Sequence, residues 1–105
     1  MNNYDNYKLC PKFETTFELL GKRWTGLIIQ TLLSGIKRFT DIEMAIPNIS
    51  ARMLTERLKE LEHHGIITRH VFPETPVKIE YELTDKGHDL EKAMKEIQKW
   101  AEKWN

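Results

Sequence analysis

The one cysteine of this 105-residue chain lies where a thiol is expected to be reactive. Cys10 precedes Pro11, and proline suits the first position of a helix because its φ is already helical and no N–H is lost there. Cys10 would then cap that helix, where the helix dipole and the neighbouring Lys8 and Lys12 favour the thiolate. Thiolates react with quinones, aldehydes and disulfides, so the position suits a sensor of electrophiles or oxidants. The alternative is an ordinary, half-buried thiol. With one cysteine per chain, a switch would need a mixed adduct or a disulfide between subunits.

The other reactive side chains do not form a pattern typical of catalysis or metal binding. His63 and His64 are adjacent, so they point to different sides of a helix, and no second cysteine completes a soft tetrahedral site. The sequence has no glycine-rich phosphate loop, no paired-carboxylate signature and no Cys/His arrangement for nucleophilic catalysis. We therefore predict a protein that is not an enzyme and that uses no metal or cofactor.

A second group of residues belongs to a predicted amphipathic helix of about four turns. Ser50 is a good N-cap, Gly65 supplies a left-handed stop, and one face is marked by Leu54, Leu58 and Leu61. Arginine can pair with guanine, small side chains can contact a thymine methyl group, and a helix N-terminus favours phosphate. The residues that suit such DNA contacts are Ser50, Ala51, Arg52, Thr55, Glu56 and Lys59. The alternative is a solvated face with charges placed for solubility. Glu56 could accept a hydrogen bond from cytosine, orient Arg52 at the i, i+4 spacing, or simply face water.

After Gly65 the hydrophobic period changes from 3.6 to 2, which predicts strands at 67–72 and 77–83 joined by a turn with two prolines. Residues of this hairpin that could contact phosphate or the minor groove are Arg69, Thr75 and Lys78. Glu74 at the tip would repel phosphate. Such a hairpin would therefore help to orient the protein on DNA and would contribute little to the binding affinity. Lys37 and Arg38 are further candidates for contacts with the DNA backbone. The alternative is that they only form the charged start of a helix.

The spacing of the remaining apolar residues predicts the helices that position these candidate residues. Helices are predicted at 11–21, from Trp24 to about Ser34, and from Phe39 to Pro47, and a terminal helix is predicted at 85–104. The fold class is therefore α+β, mostly α: a winged helix-turn-helix at 38–83 with a two-stranded wing and extra N- and C-terminal helices. Residues 1–105 form a single domain, and 1–9 are a flexible polar arm. In this fold the helix after the turn enters the major groove of double-stranded DNA.

The terminal helix carries an apolar stripe that would be costly to leave in water. Its members are Leu90, Met94, Ile97, Trp100 and Trp104. We predict that the stripe pairs with a second subunit to form a homodimer. Two-fold pairing would place two recognition helices about 34 Å apart, on successive turns of the major groove.

Composition limits the remaining function classes. Sixteen Lys and Arg balance sixteen Asp and Glu, and a net charge of zero argues mildly against non-specific binding of nucleic acid. A winged-helix adaptor that binds protein instead of DNA therefore stays open as the alternative function. No apolar run reaches the roughly 18 residues of a membrane span, and no signal peptide is evident, so we expect a cytoplasmic protein without membrane contact.

Short motifs spread from residue 10 to about 87 carry a family resemblance. They are Cys10-Pro11, Gly21-Lys-Arg-Trp24, Arg38-Phe39, Ile46-Pro-Asn-Ile-Ser50, Met53-Leu-Thr55, Arg57-Leu58, Leu61-Glu62, Gly65-Ile-Ile67, Pro76-Val77, Glu80-Tyr81 and Leu83-Thr84 with Gly87. In these motifs the chain resembles the MarR-like, HxlR-type winged-helix regulators of bacteria, although Arg23 stands as an extra residue before Trp24. The resemblance implies a homodimer that binds operator DNA, often near its own gene, and we expect it to act as a repressor. In several members an N-terminal cysteine responds to electrophiles or oxidants, which points to Cys10.

Overall fold

A computed structural model describes residues 6–105, in which six helices and two strands follow one another. The elements are α1 (Pro11–Leu20), α2 (Thr25–Leu33), α3 (Phe39–Ala45), α4 (Ala51–His63), β1 (Ile67–Phe72), β2 (Lys78–Leu83), α5 (Asp85–His88) and α6 (Glu91–Trp104). This is the mostly helical α+β winged helix-turn-helix that the sequence predicts. The predicted arm at 1–9 falls largely on residues 1–5, which lie outside the described residues.

The hydrophobic core lies between α2, α3, α4 and the base of the hairpin. Its most deeply buried apolar side chains are Ile28, Ile29, Ile42, Leu54, Leu58, Leu61 and Ile67. Each such side chain contributes about 1.5–3 kcal/mol by leaving water. The three leucines predicted as the inner face of α4 are all in this group, so the opposite face of α4 is left on the surface.

Local capping sets both ends of α4. The Ser50 hydroxyl accepts a hydrogen bond from the Met53 N–H at 3.0 Å, which satisfies one of the free donors of the first turn. At the other end Gly65 has φ +74°, a conformation that costs glycine little, and Ile66 N–H donates to the Leu61 carbonyl at 2.9 Å. The helix therefore begins and ends where the sequence predicts.

The hairpin pairs its strands antiparallel, with Arg69 opposite Tyr81 and His70 opposite Glu80. β2 begins at Lys78 instead of the predicted Val77, which follows Pro76 and is 60% exposed. The outer edge of β2 is also paired: Tyr81 N–H donates to the Lys37 carbonyl at 2.8 Å, and Arg38 forms a β-bridge with Glu80. These bonds join the start of α3 to the base of the hairpin.

The prediction of one terminal helix at 85–104 is wrong, because the structure has a short α5 and a separate α6. The Thr84 hydroxyl accepts from Gly87 N–H at 3.2 Å and starts α5 as a cap. A Cβ on Gly87 would overlap the Ile66 carbonyl oxygen, so α5 lies tightly against the residue that precedes β1. Leu90 N–H then donates to the Gly87 carbonyl, three residues back, and this tighter turn separates α5 from α6.

Candidate DNA interface and thiol site

The exposed face of α4 carries the predicted base-contacting residues. Arg52 and Glu56 are both exposed, and Arg52 Nε lies 3.9 Å from Glu56 Oε1. Of the three roles considered for Glu56, this geometry matches the one in which it orients Arg52. Thr55 Oγ1 donates to the Ala51 carbonyl at 2.8 Å, so the Thr55 methyl group points away from this hydrogen bond. Ser50 accepts the cap hydrogen bond and keeps its own O–H as a donor.

A groove of about 360 Å³ separates α4 from the hairpin. Thr55, Lys59 and Glu62 of α4 line one wall, and Phe39, Arg69, Ile79 and Tyr81 line the rest. Residues opposite each other in an antiparallel pair share a face, so Arg69 lies on the same side as the buried Tyr81, toward α4. Neither Lys59 nor Arg69 has a carboxylate of residues 6–105 within 4.0 Å. The groove therefore holds two cations whose charge is available to an anion.

The tip of the hairpin has a different charge arrangement. Lys78 Nζ lies 3.7 Å from a Glu74 oxygen and 3.8 Å from a Glu80 oxygen, and it lies over the Phe72 ring at 4.6 Å. His70 Nε2 also lies 3.3 Å from a Glu82 oxygen. Two carboxylates thus share the charge of Lys78, while Thr75 is exposed at the turn. The outer face of the hairpin carries more acidic than basic groups.

Lys37 and Arg38 are held by their backbones at the junction of α3 and β2. The Arg38 carbonyl accepts from Ile42 N–H at 2.9 Å as the N-cap of α3, and the Lys37 carbonyl accepts from Tyr81 N–H. Both side chains are exposed, and neither has a carboxylate within 4.0 Å among the described residues. They flank the base of the hairpin and remain candidates for contacts with the DNA backbone.

An ion-pair cluster on the flank of α4 was not singled out from the sequence. Glu60 binds Lys22 Nζ through one carboxylate oxygen and Arg57 Nη1 through the other, the second at 2.7 Å. The hydrogen bond from Lys22, with a further contribution from Arg57, outweighs burial and holds the pKa of Glu60 below its ordinary value. Arg57 and Glu60 are three residues apart on one helix, which is a detectable signal. Lys22 is 38 residues away, and no spacing rule pairs it with Glu60.

Cys10 occupies the N-cap of α1, with Pro11 as the first helical residue. Its thiol is exposed and free, and its side chain makes no capping hydrogen bond. The Cys10 carbonyl accepts from Glu14 N–H at 3.0 Å, so the first turn of α1 is formed directly beside the thiol. The predicted position is found, and the predicted sensor role remains a prediction.

An apolar surface extends over α1, α2 and α6. Three of the five residues of the predicted stripe belong to it: Ile97, Trp100 and Trp104 are 59%, 62% and 64% exposed. Leu90 and Met94 are partly buried and pack against the core of their own chain, and Met94 also lines the apolar groove of this surface. The surface continues onto residues that the sequence analysis did not place there, namely Phe13, Phe17 and Leu27. Between the helices lies an apolar groove of about 390 Å³ that includes Trp24 and Gln98.

In the part of the chain that is described, no three His, Cys, Asp or Glu residues are grouped so that they could hold a metal ion. The longest of its helices is also too short and too polar to cross a bilayer.

Comparisons with known proteins agree with this architecture. The HTH-type transcriptional regulator YvaP of Bacillus subtilis is 55% identical over 97 residues, which cover 92% of this chain and 90% of YvaP. The reduced form of the transcriptional regulator YodB from B. subtilis has a TM-score of 0.79 at 55% identity, covering 92% of this chain and 95% of that one. The quinone-bound form of YodB has a TM-score of 0.77 at 50% identity and covers 91% of this chain and 100% of that one. The model of the HxlR-like helix-turn-helix family matches residues 19–105. The chain therefore belongs to the HxlR-like helix-turn-helix family and is a transcriptional regulator.

Proposed function

We propose that this regulator binds operator DNA as a homodimer and represses transcription, and that modification of Cys10 weakens that binding. The observation that carries the DNA part is the groove between α4 and the hairpin, in which Lys59 and Arg69 have no carboxylate partner among the described residues. The protein-binding adaptor is not favoured, because the relatives are HTH-type transcriptional regulators.

Each candidate residue has a role that follows from its position. α4 enters the major groove, where Arg52, held by Glu56, reads guanine, and Ala51 and Thr55 contact thymine methyl groups. Lys59 and Arg69 approach phosphates from the two walls of the groove. Contacts with the flanking backbone come from Ser50, Lys37, Arg38 and Thr75. Lys78 is left out of this set, since Glu74 and Glu80 already share its charge.

The apolar surface of α1, α2 and α6 supports the dimer. Six large apolar side chains on it are about half exposed or more: Phe13, Phe17, Leu27, Ile97, Trp100 and Trp104. Monomeric proteins rarely expose a contiguous apolar patch of that size. Pairing of two copies across this surface buries it and sets the distance between the two recognition helices.

The thiol chemistry follows from the exposure of Cys10 and from its place at the N-terminus of α1. The thiolate adds to a ring carbon of a quinone, a C–S bond forms, and the ring takes up a proton and becomes a hydroquinone. An oxidant such as diamide would instead accept two electrons as two Cys10 thiols, one from each subunit, form a disulfide. The structure of a quinone-bound relative, YodB, supports the first route.

The DNA part is tested by fluorescence anisotropy with a labelled duplex from upstream of the protein's own gene and a scrambled duplex as competitor. We expect reduced protein to bind the first duplex with competitor-resistant affinity and a steep salt dependence. Arg52→Ala and Lys59→Ala should each weaken this binding. Lys92→Ala, which removes an exposed cation from α6, is the matched control and should leave it unchanged. If the protein has no preference over the scrambled duplex in any upstream fragment, the proposal is wrong.

The thiol part is tested on the same complex. Benzoquinone or diamide should release wild-type protein from the duplex, and Cys10→Ala should stay bound. A Cys10→Ala protein that is released to the same extent would remove Cys10 from the mechanism and leave DNA binding untouched.

A further inference from the structure

The turn between α1 and α2 contains a residue in an unfavourable backbone conformation. Trp24 has φ +80°, in the left-handed region that bulky side chains rarely adopt. Its indole ring is half-buried, and the Arg23 guanidinium lies over it at 4.4 Å from the ring centroid. Such conformations persist only where the surrounding structure holds them.

Two contacts hold this turn against α4, and a third contact within α4 links them. The Glu60 carboxylate binds Lys22 Nζ, Arg57 Nη1 binds the same carboxylate at 2.7 Å, and Arg57 Nε donates to the Arg23 carbonyl at 2.9 Å. The side chains of Arg57 and Glu60 are only 16% and 26% exposed. Shielding from water strengthens the charged hydrogen bond between Arg57 and Glu60, whereas the Lys22 side chain is 47% exposed. The other two contacts join consecutive residues of the turn, Lys22 and Arg23, to α4.

The two ends of this network belong to different surfaces. On α4, Arg57 and Glu60 alternate with Glu56 and Lys59 of the DNA-facing side. On the turn, Trp24 lines the apolar groove together with Phe17 of α1 and Ile97 of α6. Glu60 and Arg57 therefore connect the turn, and the groove that Trp24 lines, to the helix that carries Glu56 and Lys59.

We propose that Lys22, Arg57 and Glu60 are positioning residues that act as a brace: they fix the recognition helix α4 relative to the α1–α2 turn, so that operator affinity depends on the position of that turn. This inference rests on the proposed function, because it assumes that α4 reads DNA. None of the three needs to contact the nucleic acid.

The decisive variant is Glu60→Gln, because electrostatics and positioning predict opposite results. Removal of a carboxylate makes the protein more positive, which alone would tighten binding to any duplex. Loss of the brace should instead weaken operator binding about tenfold, the scale of coupling within one hydrogen-bonded network. Affinity for the scrambled duplex should be unchanged or slightly higher, a combination that partial unfolding does not produce.

Matched controls separate the brace from a general charge effect. Glu96→Gln makes the same charge change in an exposed ion pair with Lys99 within α6, and it should alter operator affinity less than twofold. Lys22→Met should weaken operator binding as Glu60→Gln does, and the double variant should be no weaker than Glu60→Gln alone. Lys22→Arg, which keeps the cation, should retain most of the affinity.

A second measurement does not depend on DNA. The amides of Lys22 and Thr25 form long hydrogen bonds of 3.2 and 3.3 Å within the turn, and their hydrogen exchange should accelerate in Glu60→Gln and not in Glu96→Gln. Operator affinity that equals or exceeds that of the wild type in Glu60→Gln would overturn the brace while the proposed function stands. If Glu60→Gln does not fold, Lys22→Met decides by comparison with Lys92→Ala, which also removes one cation: equal operator affinities for these two variants would overturn the brace. A wild-type protein with no preference for operator would contradict the proposed function, and the brace with it.

Discussion

At the scale of single residues, Glu60 links the charge state of one carboxyl group to the stability of the fold. Its pKa is lowered from an ordinary value of 4.5 chiefly by the hydrogen bond from Lys22 and also by Arg57. A carboxyl group with a lowered pKa in the folded state stabilises the fold above its unfolded pKa, and this contribution is lost as the pH falls through the folded pKa. The stabilisation is therefore complete at neutral pH and disappears in acid.

We predict that Glu60→Gln lowers the free energy of unfolding at pH 7 by about 1–2 kcal/mol, because it leaves Lys22 and Arg57 without their carboxylate. Below about pH 4.5 the difference between the two proteins should shrink, since the carboxyl group is protonated first in the unfolded state and then, at its lower pKa, in the folded state. Urea unfolding followed by circular dichroism between pH 3 and pH 7 measures both effects. A difference that stays constant over this range would contradict the assignment.

At the scale of elements, the start of α4 depends on the Ser50 cap. Ser50→Ala removes the acceptor for Met53 N–H, and we predict a loss of about 1 kcal/mol in the free energy of unfolding. Ser50→Asp keeps an acceptor at the same position and should retain that stability. Parallel urea titrations of the two variants measure the difference. Equal stabilities for alanine and aspartate would show that the cap contributes nothing here.

The two faces of the hairpin lead to a second prediction at this scale. Arg69 lies toward α4 beside the groove, whereas Lys78 is paired with Glu74 and Glu80. Arg69→Ala should therefore reduce the slope of log affinity against log salt concentration by about 1, the signature of one lost phosphate contact. Lys78→Ala, which removes the same charge, should leave the slope unchanged. Anisotropy titrations at three salt concentrations distinguish the two, and a reversed order would mean that the hairpin presents its other face to DNA.

At the scale of the whole molecule, one chain is more extended than a compact domain of its length. The radius of gyration is 16.5 Å, whereas a compact domain of about 100 residues has about 13 Å. α6 contains no fully buried residue, although it carries Ile97, Trp100 and Trp104. A second copy that covers these side chains would complete the core.

We predict that Trp100→Ala raises the dimer dissociation constant by about 30-fold or more, the effect expected of a central interface tryptophan. The melting temperature should also become more dependent on protein concentration, because folding and association are linked. Sedimentation equilibrium measures the first and differential scanning calorimetry the second. Lys99→Ala, an exposed neighbour on α6, serves as the control and should leave the dimer intact. If Trp100→Ala remains as dimeric as the control, the interface lies elsewhere.

The sequence by itself determined most of the elements, because their signals act over a few residues. The caps at Ser50 and Gly65, the helical start at Pro11 and the alternating strand before Thr84 are local features. The structure has each of them, and only the strand differs, by starting one residue later than predicted. The fold class followed from their order. The candidate residues on α4 could be found for the same reason, since one amphipathic face implies the other.

Only the tertiary structure decided which of these residues meet. Arg69 and Lys59 line one groove because the strand register places Arg69 on the side of Tyr81. Lys22 reaches Glu60 across 38 residues. Gly87 packs closely against Ile66 in α5, and the packing of the core leaves Phe13, Phe17 and Leu27 outside it. Each of these outcomes depends on contacts between segments that are distant in sequence, so no local pattern specifies them.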